Sequence, residues 1–169
     1  MGSPERRGHS PTAAGRPGPA PEIRGSGGFS SYHARVYDDL SRAIAEADLP
    51  PDERLRFLEL CTSRAVADLR ADAVRIEGYL YRLGRSAADD PTIDVERASA
   101  VAAALLALVG DADRFDFYER RLLAGAVDYF VLEQDGSNDV AHLRGLDDDA
   151  RVVRAVCRAL GREELVRGF

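Results

Sequence analysis

From Ser30 onward the apolar positions fall at helical spacing. Val36, Leu40 and Ile44 recur every four residues and Asp38 stands four before Arg42 on the polar side, which predicts a first helix ending near Asp48. The run Leu49-Pro50-Pro51-Asp52-Glu53 then interrupts the pattern and starts another. Pro51 suits a first helical turn, where its missing N–H costs nothing, and the two acids complement the positive end of the helix dipole. Leu55, Leu58, Ala65, Leu69, Ile76 and Leu83 follow at alternating three-four spacing, interrupted by Thr62 and Asp72. That stripe predicts either one long amphipathic rod or two helices with a bend, with Gly84 as the stop.

The second half continues in the same period. Asp94 is placed to cap a third helix whose segment Ala98 to Val109 is apolar nearly all round, the composition of a buried bundle centre. A fourth helix is expected from Asp113–Asp116 to Leu132, carrying Phe115, Tyr118, Leu122, Ala126 and Tyr129 on one stripe and an Asp116–Arg120 pair. Gly125 lies in its middle, where glycine costs about 1 kcal/mol against alanine, so close packing of a neighbouring helix is its expected reason. A fifth helix is expected to begin within Leu146-Asp147-Asp148-Asp149, to bury Val152, Val153, Val156 and Leu160, and to stop at Gly161. No segment combines strand alternation with hairpin chemistry. The expectation is an all-α, single-domain bundle of about five helices.

Residues 1–28 differ in kind. Gly, Pro, Ser, Ala and Arg dominate them and Ile23 is the sole branched aliphatic, so this segment cannot bury enough surface to offset its ordering entropy. It reads as a disordered arm preceding a helical domain over 29–169.

Composition narrows the function classes. The formal charge of −6 and pI near 5.1 argue against nucleic-acid binding. All 23 basic residues are arginine, which removes Schiff-base chemistry, pyridoxal-phosphate anchoring and the lysine-bearing phosphate loop. GC-rich coding explains the bias. Cys61 and Cys157 are far apart and lie in apolar patterns, so they read as core thiols in a reducing, cytoplasmic setting. The longest apolar run is about a dozen residues, short of the roughly 20 that span a bilayer. Arg6, Arg7, Arg16 and Arg24 of the arm are too scattered for stable anchoring at a lipid surface, and peripheral membrane contact is the weakest of the alternatives.

Carboxylates crowd between the last two helices: Asp128, Asp135, Asp139, Asp147, Asp148 and Asp149, with His142 among them. Two readings compete there. Asp128, Asp135, Asp139, His142 and Asp147 form a candidate divalent-metal set, as ligands of a metal-binding protein or a metal-dependent enzyme. Against it, Asp147 reads as an N-cap with Asp148 and Asp149 on the helix dipole and Arg151 four residues on, and Asp135-Gly136 is turn chemistry. Asp128 is the least explained of the group, with Arg144 a candidate partner. No other cofactor is expected.

Two stretches carry a family resemblance. Leu123-Ala124-Gly125-Ala126-Val127-Asp128-Tyr129-Phe130-Val131, then Asp139, then Gly145-Leu146-Asp147-Asp148-Asp149-Ala150-Arg151-Val152-Val153 make residues 94–160 resemble the YkvA-like family of small bacterial helical proteins of unknown function. The chain departs from that pattern at Asn138, where the family tends to have proline. The resemblance implies a helical fold and a bacterial origin, and it implies no reaction. The leading expectation is therefore a non-catalytic interaction or regulatory module, with self-association through the long second helix and exposed Arg151, Arg154 and Arg158 as its features.

Overall fold

In the computed structural model, residues 40–44, 49–132 and 142–169 are described, with the backbone alone for 142–145. The arm, Val36, Asp38, Asp135 and Asp139 lie outside the described residues. A turn of helix over 40–43 places Leu40 and Ile44 in the core. Five helices follow: α1 Pro51–Leu60, α2 Val66–Ser86, α3 Val95–Gly110, α4 Phe117–Val131 and α5 His142–Ala159. Short 3₁₀ turns stand at Ala112–Arg114 and Glu163–Val166. The described residues contain no strand, and the protein is an all-α bundle.

Helix ends follow local chemistry at most junctions. Pro51 occupies the first turn of α1, with Asp52 and Glu53 beside it. Asp94 caps α3 by accepting from the Arg97 N–H at 2.9 Å. Asp116 starts α4 with a full capping box: its side chain accepts from the Tyr118 and Glu119 amides while Glu119 accepts from the Asp116 amide. That use replaces the expected Asp116–Arg120 pair, and Arg120 donates to the Phe115 carbonyl instead. Gly161, at φ 65°, closes α5, the Gly161 and Arg162 amides bonding the Arg158 and Cys157 carbonyls in a Schellman arrangement.

Two expected ends move. Of the two forms left open for the Leu55–Leu83 stripe, the structure has two helices, separated by the non-helical residues 61–65. Thr62 and Ser63 compete poorly for helix, and the Cys61 and Thr62 amides turn back onto the Leu58 and Leu60 carbonyls. Gly84 does not stop α2, which runs on to Ser86 with ordinary helical geometry.

The centre is shared by two helices rather than held by α3 alone. α4 packs against α1, α2, α3 and α5, and Leu122 to Val127 are buried without interruption. α3 packs against α2, α4, α5 and the C-terminal 3₁₀ turn but leaves Ala103 exposed. Tyr79 of α2 meets Phe130 of α4 edge-on, centroids 4.9 Å apart.

Gly125 is where α1 reaches α4. A Cβ there would lie 2.6 Å from Cys61 Sγ, 3.0 Å from Phe57 Cε2 and 3.3 Å from the Cys61 backbone, distances no side chain occupies without displacing α1. Gly125→Ala is expected to destabilise by about 1–3 kcal/mol in urea unfolding. Adding Cys61→Ala should recover part of that loss, because Sγ is the nearest obstacle. A Gly125→Ala variant as stable as the parent would show that the two helices are not in this contact.

Candidate functional site

Among the described residues two acids are buried, Asp72 and Asp149, and each belongs to a charge cluster. The first lies where the 61–65 break, α2 and α4 meet. Asp72 interrupts the buried stripe of α2 and is only 5% exposed, and Asp128 interrupts the apolar run of α4. A buried carboxylate needs partners, and the same two guanidinium groups serve both acids. Arg64 donates from Nη1 to Asp72 Oδ2 at 2.5 Å and from Nη2 to Asp128 Oδ2. Arg75 reaches Asp72 Oδ1 at 2.8 Å and Asp128 Oδ1 at 3.0 Å. The result is a closed, neutral quartet in which all four carboxylate oxygens are engaged. Partial burial works against the charge on Arg64 and on Arg75, but hydrogen bonds and charge from Asp72 and Asp128 hold both above their ordinary pKa.

The second cluster joins α1, α4 and α5. Arg151 grips Glu53 with both arms of its fork, Nε to Oε2 at 3.0 Å and Nη2 to Oε1 at 2.6 Å, and also donates to Asp148. Arg56 lies over the Tyr129 ring, 5.5 Å from its centroid. Asp149 is 7% exposed beside them. Burial first, and the Asp148 charge second, push the Asp149 carboxyl well above the usual range, with Arg56 opposing. Burial and Glu53 raise Asp148 in the same way. The Tyr129 hydroxyl is pushed up to about 12 by burial and by the charges of Asp148 and Glu53. Three carboxyl groups and a phenol are thus held together by two arginines.

Of the expected metal set, Asp128 and Asp147 can be followed, and each is paired with arginine. Asp135, Asp139 and the His142 side chain lie outside the described residues. Asp128 has both oxygens on guanidinium groups, so a cation there would have to displace arginine. Asp147 is half-exposed and pairs with Arg97, tying α5 to α3. Among the described residues no group of three or more His, Cys, Asp or Glu is disposed to hold a metal ion.

The capping role expected of Asp147, Asp148 and Asp149 is corrected. α5 begins at His142, so the triplet sits beyond its first turn and serves other helices: Asp147 to α3, Asp148 and Asp149 to the α1 cluster. The partner of Arg151 is accordingly Asp148, three residues before it, together with Glu53, rather than Asp147. Arg154 is not a free surface cation either, since it donates to the Phe169 carbonyl at 3.0 Å and lies over that ring. The structure gives Asp128 the partners Arg64 and Arg75, which the sequence reading missed. The available signal was that Asp72 and Asp128 each interrupt an apolar face.

Both thiols are free and buried. Burial, opposed by Arg121 and assisted by Asp128, pushes Cys61 up to about 12, and burial pushes Cys157 up to about 11. Neither is a nucleophile at neutral pH. No helix among the described residues is long and apolar enough to cross a membrane. No protein family, curated protein or solved structure matches the chain.

Two outcomes are expected of these clusters. Asp128→Ala leaves Arg64 and Arg75 facing one acid, and unfolding should show a loss of about 2–4 kcal/mol; a loss below about 0.5 kcal/mol would mean the quartet does not hold α2 to α4. Asp149 adds a pH dependence. Because its folded pKa lies above its unfolded one, its contribution is complete below the unfolded value of about 3.8 and is lost as pH rises through the folded value. Asp149→Asn should therefore gain on the parent as pH rises from 4 toward neutrality, by about 2–4 °C in Tm for each kcal/mol removed. A difference in Tm that is constant across that range would contradict the assignment.

Proposed function

We propose that the protein is a non-catalytic interaction module whose contact surface is the outer face of α2. The observation that supports this is the exposure of Val74 at 73% and Tyr81 at 68%, two large apolar residues seven apart on one helix. The stripe on which self-association was expected is not that surface. Leu69 and Ile76 are fully buried in the core, and Leu83 packs against it. The opposite face carries Ala67, Ala71, Val74, Gly78 and Tyr81, of which only Gly78 is even partly covered. Apolar groups in water are favoured contact sites when they form a continuous patch on a rigid element.

Rigidity is supplied from the inner side. Asp72 is fixed by the quartet, and Leu69 and Ile76 by the core, so the face is held in place before anything meets it. Both clusters fit the same reading as braces, since their charged groups face one another across helix junctions.

The test is chemical protection. Val74→Cys and Tyr81→Cys introduce thiols on the face, while Cys61 and Cys157 stay silent because they are buried with raised pKa. Both new thiols should label quickly in dilute purified protein and more slowly in intact cells, a Ser86→Cys control changing little. Equal labelling in the two settings would remove the reading.

A further inference from the structure

Resting on the reading of α2 as a contact surface, we infer that its occupant is a second copy of the same chain, with the two α2 helices antiparallel about a two-fold axis beside the Asp72–Ala73 peptide. Ala67, Ala71, Val74, Gly78 and Tyr81 recur at intervals of four, three, four and three, the spacing of a helix-pairing seam. All five positions lie on the side of α2 opposite Leu69 and Ile76.

The seam is narrow and three of its five residues, Ala67, Ala71 and Gly78, are small, which lets two helix backbones approach closely. A Cβ at Gly78 would meet only the end of Arg82, so the space above it is open. With the axis beside Asp72–Ala73, Ala71 lies opposite Val74 of the second copy and Ala67 opposite its Gly78. Tyr81 then extends over the N-terminal end of the other α2.

The flanks decide the partner. In an antiparallel pair each flank meets the same flank of the other helix, so a flank of one sign would repel itself. One flank of this seam carries Arg70 and Glu77, and the other carries Asp68 and Arg75. In this register Arg70 stands beside Glu77 of the second copy, and Asp68 beside its Arg75. Both contacts occur twice by symmetry, and all four are between opposite charges. Arg75 is 46% exposed while bound to the quartet, and Arg70 is 52% exposed in its pair with Asp113, so each guanidinium still presents donors outward. Self-complementarity of both flanks is what an isologous interface requires.

The full chain should show reversible dimerisation by sedimentation equilibrium between low micromolar and several hundred micromolar, with Kd on the order of 10–100 µM. Val74→Asp should leave the melting temperature unchanged and abolish the dimer. Glu77→Arg sets arginine against Arg70 twice and should weaken it about tenfold. The double variant Arg70→Glu with Glu77→Arg restores opposite charges and should return Kd to within about threefold of the parent. An unaltered dimer in Val74→Asp, or a double variant no tighter than Glu77→Arg, would overturn the arrangement. A parent that stays monomeric throughout overturns it as well. In that case thiol protection at position 74 in cells would leave the contact surface standing with a different protein as occupant, and absence of protection would remove both.

Discussion

The bundle depends on the close approach of α1 to α4 at Gly125. Phe57 and Cys61 sit where any Cβ at that position would be, so the end of α1 is pressed directly against the middle of α4. Just past this contact the helix opens at residues 61–65 and restarts as α2, which packs on α3 and α4. Opening it frees backbone groups and places Arg64 in the gap. There the guanidinium reaches Asp72 ahead of it and Asp128 across from it, and the break becomes a joint.

Arginine is suited to that work in a way lysine is not. Its planar fork carries donors on separate nitrogens, so one side chain can hold two acids on two elements at once. Arg64 and Arg75 do this between α2 and α4, Arg151 between α1 and α5, Arg97 between α3 and α5, and Arg162 between the end of α3 and the C-terminal turn. A coding bias is sufficient to explain why lysine is missing, and the fold makes structural use of what the bias supplies.

Legibility in the sequence followed the range of the interaction. Helix starts at Pro51 and Asp94, and the stop at Gly161, could be read because each is settled by chemistry within four residues, while the α4 start was bracketed at Asp113–Asp116 without the capping role of Asp116. The reason for Gly125 could be read as close packing, although not the identity of Cys61 and Phe57 as the groups responsible. The start of α5 was misread because Asp147 and Asp148 look the same whether they cap a helix or pair with Arg97 and Arg151; only the fold distinguishes the two. The quartet was half visible. Asp72 and Asp128 each stood out as a charge on an apolar face, but 56 residues of chain separate them, and nothing local says that two anomalies are one structure.

The apolar outer face of α2 was hidden by the same ambiguity of range. A helix with leucine and isoleucine on one side and alanine, valine, glycine and tyrosine on the other reads as a single broad stripe until the core takes its share. Once Leu69, Asp72 and Ile76 are fixed inward, the remaining apolar positions have no freedom to turn away from water, because rotating α2 would pull Asp72 from Arg64 and Arg75 from Asp128. The cost of ordering this face has therefore already been met in folding. A preformed helix with small residues along its ridge loses little further entropy on contact, so even the modest area of one helix can sustain a weak, reversible association.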